Sequence, residues 1–274
     1  MFREQLINEI RSKKAFLCVG LDVDLDKVPD KFLNEDDPIF AFNKEIIDAT
    51  KDFAVAYKPN LAFYEVYGAK GWEALHKTVN YIPENIFTIA DAKRGDIGNT
   101  SGRYAKAILE NMSFDCITVA PYMGADSVLP FLSHDKGKWV ALLAATSNQG
   151  FADLQDLQLA GGQRLFQKVV SKSMEWGTSE NLMFVTGATR SDIIAEIRQL
   201  APENFFLVPG IGAQGGSLSD VCQAAMTAEC GLLVNASRSV IYASRGEDFA
   251  EAARAEAQRL QQEMEQQLQA YQVI

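Results

Sequence analysis

Eight short apolar runs, rich in Val, Ile, Leu and Phe, recur along this 274-residue chain, and they limit its architecture more than any other feature. They occupy 15–22, 54–60, 87–91, 116–121, 139–147, 182–186, 205–209 and 231–237. A strand that is apolar on both sides of its pleat is buried on both faces, as in a parallel sheet covered by helices. Between the runs lie stretches with helical amphipathicity, among them 39–50, 64–80, 162–176 and 192–200. Eight such units in a chain of this length predict an α/β fold, a closed (β/α)8 TIM barrel in preference to an open sheet. No linker rich in Pro, Gly or Ser interrupts the pattern, so 1–274 reads as a single domain. A helix at 2–12 and another at 247–269 flank it. The second carries Ala253, Ala257, Leu260, Met264 and Leu268 on one stripe and is expected on the barrel exterior.

In such barrels the βα loops converge at the C-terminal ends of the strands, and the chemistry sits there. Those ends carry Asp22, Lys58 and Asn60, Asp91 and Lys93, Ser147, then Gln214 just past the seventh run and Arg238 after the eighth. The densest group is DAKRGDIGNT at 91–100. In an extended strand, residues two apart share a face, so Asp91 and Lys93 are expected side by side. Asp96 is expected to return toward them from the following turn. Flanking carboxylates favour the ammonium form of Lys93, which makes it a proton donor or electrostatic stabiliser and not an imine-forming nucleophile. Lys58, from YKPN on the adjacent strand, extends the alternation of charge.

The seventh run enters VPGIGAQGGS, which contains Gly210-x-Gly212-x-x-Gly215. A dinucleotide site would place this element early and follow it with an acid about 20 residues on; here it lies near the end of the chain, and the run at 231–237 holds no acid. What remains is an anion site: exposed backbone N–H groups, a helix starting near Ser217, and the bidentate guanidinium of Arg238. Loops after strands seven and eight are a frequent phosphate site in barrels.

Other classes are disfavoured. A formal charge of −10 argues against a general nucleic-acid or membrane-surface role. The start, MFREQLINEIRSKK, lacks the apolar core of a leader, and no apolar run reaches the roughly 18 residues of a membrane span. Cys18, Cys116, Cys222 and Cys230 are widely separated in apolar segments and read as reduced thiols of a cytoplasmic protein. Asp22-x-Asp24-x-Asp26 resembles a calcium loop, but Lys27 replaces the glycine and Leu33 the bidentate acid. His76 and His134 lie outside these clusters and are assigned structural or surface roles.

Taken together, DAKRGDIGNT, the early GLD, YKPN, ATS, PGIGAQGG and NASRS resemble the orotidine 5′-phosphate decarboxylases, in their longer bacterial subgroup. The likeness runs over essentially the whole chain, with the motifs in order at successive strand ends. It implies conversion of orotidine 5′-phosphate to UMP and CO2, the last step of UMP synthesis, without cofactor or metal. By the same likeness Lys58, Asp91, Lys93 and Asp96 form the catalytic array, with Lys93 protonating C6 of the pyrimidine. Asp96, Ile97 and Thr100 would serve the neighbouring subunit of a homodimer. Asp22 would hold a ribose hydroxyl, Ser147 the pyrimidine ring, and Gln214 and Arg238 the phosphate. Asn60, Pro209 and Gly212 join the substrate-binding set. The loop at 148–162 resembles an extension of the long subgroup and receives no role.

Two rival readings stand beside it, the second from another class. A magnesium-dependent keto-sugar-phosphate decarboxylase of the same superfamily shares D-x-K-x-x-D but needs acidic metal ligands, where Lys58 instead adds positive charge. A non-catalytic phosphate-ligand-binding barrel would bind UMP without consuming the orotidine nucleotide.

Overall fold

The computed structural model describes residues 1–134, 136–211 and 216–274. Its centre is a closed barrel of eight parallel strands in sequence order: β1 (Leu17–Gly20), β2 (Ala54–Lys58), β3 (Phe87–Arg94), β4 (Cys116–Val119), β5 (Trp139–Ala145), β6 (Leu182–Thr186), β7 (Phe206–Pro209) and β8 (Leu232–Ala236). The barrel closes where β1 pairs with β8, Cys18 opposite Asn235. The single (β/α)8 domain read from the eight apolar runs is therefore the architecture found. Nearly every strand residue is buried, which is why the runs lack polar alternation. Six of the strands are shorter than their runs, β6 matches its run, and β3 extends past its run to Arg94.

Helices cover the outside. The helix Pro38–Thr50 starts on Asp37, whose carboxylate accepts from Phe40 N at 3.1 Å, with Pro38 in the first turn. The helix Phe249–Ala270 lays Ala253, Ala257, Leu260, Met264 and Leu268 against the barrel layer and packs mainly on Pro38–Thr50. At the barrel's N-terminal end, Trp139 stands edge-on to Phe87 and Phe205, with ring centroids 5.9 and 6.3 Å apart.

Two helices differ from their sequence patterns. The stretch 64–80 divides into Ala62–Glu65 and Gly68–Tyr81, because Gly68 takes φ +59° and breaks the run. The stretch 162–176 contracts to Leu165–Ser173. Gly162, at φ +80°, closes a turn on Leu159, and Gln167 caps the helix from inside by accepting from Arg164 N. All four cysteines are buried and unbridged.

Candidate active site

The strand ends converge on a cavity of about 350 Å³ whose lining includes Asp22, Lys58, Asp91, Pro209 and Arg238. Asp91 is its charged centre. Lys58 Nζ donates to Asp91 Oδ2 at 2.8 Å and Lys93 Nζ donates to Oδ1 at 2.6 Å. Lys58 is buried in the cavity lining, whereas the Lys93 side chain is 50 % exposed and bonds Asp91 from outside that lining.

This juxtaposition does not arise from a regular strand. Between Ala90 and Arg94 the chain advances four residues while its β4 partners, Ile117 and Val119, advance two. The resulting bulge puts Lys93 at φ +46°, a left-handed conformation unusual for a lysine. Thr118 holds the bulge: its hydroxyl accepts from Lys93 N at 2.8 Å and donates to Asp91 Oδ1 at 3.1 Å. A β-bulge beside an active site re-aims a side chain, and here it carries Lys93 over the carboxylate.

The turn does not bring Asp96 back to this group. Its carboxylate accepts from Ile97 N at 2.7 Å, and the ion pairs of Lys93 and Lys58 are made with Asp91. Ile97 is exposed and Thr100 half-buried, on the helical segment that begins at Gly98. Within one chain the ion-paired array is thus Lys58–Asp91–Lys93. Asn60 also stays out of the lining, because its amide oxygen accepts from Ala62 N at 3.2 Å to start a helix. Ser147, just past β5, is likewise not among the cavity-lining groups. Gly212 and Gln214 lie outside the described residues.

The electrostatics follow from burial and pairing. Burial alone lowers the affinity of Lys58 for its proton, but Asp22 and Asp91 outweigh it and raise the ammonium's pKa above the ordinary value. Burial likewise works against the charge of Asp91, yet Lys58 and Lys93 hold its carboxyl well below the usual range. Asp22 is different: its Oδ1 is buried with no hydrogen-bond partner. An unsatisfied acceptor beside a fixed ammonium suits a ligand hydroxyl.

Arg238, also in the lining, opens the short helix Arg238–Ile241; Pro209 and Gly210, which takes φ +103°, line the same cavity. β1 runs close by: a Cβ on Gly20 would lie 1.8 Å from Ser237 Oγ. Tyr242 ties this segment to the first loop, its hydroxyl accepting from Asp24 N at 2.7 Å and donating to Asp22 O at 3.1 Å. Burial pushes the Tyr242 phenol up to about 12. Asn235 also lines the cavity, its Oδ1 accepting from Cys18 Sγ at 3.5 Å and its Nδ2 donating to Ser237 Oγ at 3.1 Å.

Sequence reasoning missed Thr118, Asn235 and Tyr242. The first two were visible as polar residues inside otherwise apolar runs. Tyr242 left no local signal, since its partners lie some 220 residues away. Asp24 pairs with Lys27, and no cluster of three metal-ligating side chains occurs among the described residues.

Comparison with known proteins agrees with this geometry. Residues 15–255 match the family described as orotidine 5′-phosphate decarboxylase / HUMPS. The chain is 57 % identical over 273 residues to the orotidine 5′-phosphate decarboxylase of Bacteroides fragilis, covering 98 % of this chain and 99 % of that one. It is 58 % identical over 268 residues to the enzyme of the same name from Phocaeicola vulgatus, covering 97 % and 98 %. Among solved structures, Leishmania donovani OMP decarboxylase superposes with a TM-score of 0.83 at 37 % identity, covering 97 % of this chain and 99 % of the other. With a match across nearly its whole length and more than half its residues shared with those relatives, the chain belongs to the orotidine 5′-phosphate decarboxylase family.

Proposed function

We propose that this barrel decarboxylates orotidine 5′-phosphate to UMP and CO2 without cofactor, as the names of its relatives suggest. The observation that carries the reading is the Lys58–Asp91–Lys93 array, whose Lys58 and Asp91 line the same cavity as Arg238. A substrate with its phosphate on Arg238 and a ribose hydroxyl on Asp22 reaches the array with its ring. Asp91 then stands beside the substrate carboxylate, and repulsion between like charges disfavours the ground state. The C6–carboxylate bond breaks, CO2 departs, and the electron pair stays on C6 in the plane of the ring. The Lys93 ammonium stabilises that developing charge and delivers its proton to C6. Lys58 keeps Asp91 ionised and fixed. Binding energy from the remote phosphate holds the ring in this environment. In this reading Ser147 contacts the ring, Pro209 and Gly212 belong to the binding surface, and Gln214 joins Arg238 on the phosphate.

The active unit in this reading is a homodimer. Ile97, Tyr104, Tyr122, Met123 and Leu129 expose apolar side chains on and beside the packed helices Gly98–Ala105 and Ala125–Leu132. A patch of that kind next to Asp96 and Thr100 fits a second copy of the chain, whose cavity those residues complete. The setting is cytoplasmic, in keeping with four buried, unbridged cysteines. Among the described residues, no helix is long and apolar enough to cross a membrane. The test is Lys93→Ala: a folded dimer without turnover supports the mechanism, and near-normal turnover overturns it.

A further inference from the structure

The loop after β5 is not slack chain. Phe151 is buried under the Arg190 guanidinium, 4.3 Å from its ring centre, and meets Phe166 at 6.0 Å. Arg164 bonds both Asp156 and Glu196, and Leu157 O and Gln155 O accept from Leu165 N and Phe166 N, each at 2.9 Å. From this anchored segment Gln155 reaches back to the strand exit with both ends of its amide. Thr146 N donates to Gln155 Oε1 at 2.9 Å, and Gln155 Nε2 donates to Thr146 Oγ1 at 2.8 Å. The Thr146 hydroxyl passes its own hydrogen to Asn148 Oδ1 at 2.6 Å.

Ser147 is the next residue, and it is confined from the other side as well. Gly187 N donates to Ala145 O at 2.8 Å, and a Cβ on Gly187 would lie 2.7 Å from Ser147 Cβ. We propose that Gln155 is a positioning residue for Ser147: the folded loop holds its amide, and the amide fixes the peptide from which Ser147 projects. The loop then serves recognition of the pyrimidine ring, not of the ribose or phosphate. A planar amide bonded at two points of one residue sets both its position and its rotation, which one hydrogen bond does not. This inference rests on the reading of Ser147 as a ring contact.

The test compares the full-length parent with Gln155→Leu, Gln155→Glu, Ser147→Ala and the Ser147→Ala/Gln155→Leu double variant by titration calorimetry. The probes are UMP, which carries the ring, and ribose 5-phosphate, which lacks it. Gln155→Leu is expected to weaken UMP about tenfold, roughly 1.4 kcal/mol, with ribose 5-phosphate unchanged. Gln155→Glu keeps the acceptor for the Thr146 N–H but loses the donor to the Thr146 hydroxyl, and restores part of that loss. The double variant binds UMP no worse than Ser147→Ala alone, because the two residues act through one contact. Parent-like UMP binding by Gln155→Leu, with Ser147→Ala impaired, overturns the positioning role and spares the ring contact. Equal weakening of both probes by Gln155→Leu overturns it as general damage to the fold. Parent-like UMP binding by Ser147→Ala overturns the ring contact, and the positioning role with it.

Discussion

Replacing Lys58 by methionine removes one buried charge and keeps most of the side-chain volume. Lys58 and Asp91 are 5 % and 11 % exposed and lie 2.8 Å apart. Deleting one member of a buried ion pair costs about 3–5 kcal/mol, because the other charge is left uncompensated. Here Lys93 remains 2.6 Å from Asp91, so the lower figure, about 3 kcal/mol, applies at neutral pH. For a domain of this size that lowers the melting temperature by roughly 6–12 °C. The loss depends on pH with a definite sign. In the parent the Asp91 carboxyl is held well below its ordinary value, with Lys58 and Lys93 outweighing burial. It therefore stabilises the fold above its unfolded pKa of about 3.9 and loses that contribution as pH falls toward its folded one. In the variant, burial wins more of the contest, and protonating the carboxyl relieves the penalty. Calorimetric melting at pH 8 and pH 5 should show a wide gap between parent and variant at pH 8 and a narrower one at pH 5. An equal gap at both values, or none at pH 8, would refute the account of Lys58 as the counter-charge.

The bulge makes a second stability statement. Lys93→Ala and Lys93→Gly both lose turnover and the Asp91 contact, but glycine accepts φ +46° freely, so it should be more stable than alanine by about 1–2 kcal/mol; calorimetry of the two variants checks this. Gly20→Ala puts a methyl 1.8 Å from Ser237 Oγ, at a cost of about 1–3 kcal/mol, and by shifting Ser237 it should weaken phosphate-bearing ligands, measured by melting and UMP titration. Arg238→Gln should weaken UMP by roughly 1.5–3 kcal/mol, the worth of a hydrogen bond to a charged group, and leave uridine binding as it was. Mixing inactive Lys93→Ala and Asp96→Asn chains should restore about a quarter of parental turnover if sites are shared across a two-fold dimer; no recovery in proven hybrids would show that Asp96 serves its own chain.

The barrel was legible in the sequence because parallel strands buried on both faces leave continuous apolar runs. Polar residues at their ends marked the rim, and Asp22, Lys58, Asp91, Pro209 and Arg238 meet around one cavity. The bulge was not legible, because nothing in the local sequence announces a lysine at positive φ; Thr118 on the next strand imposes it. Asp96 was expected beside Lys93 from proximity in sequence, but its carboxylate turns to Ile97 N at the start of the following helix, and Lys93 pairs with Asp91. Asn60 was read as a binding group because it ends a strand, where the structure spends its amide on a helix start. The loop at 148–162 carried no sequence signal of its own. Its structure comes from contacts with Arg190, Glu196 and Thr146, which only the assembled barrel brings near.

The most direct test of the central claim is to give purified protein orotidine 5′-phosphate in the presence of EDTA and follow ultraviolet absorbance and released CO2. The account predicts complete conversion, with one CO2 formed for each UMP and a rate that the chelator does not change. Binding of UMP without loss of the orotidine nucleotide, or turnover abolished by EDTA and restored by magnesium, would contradict it.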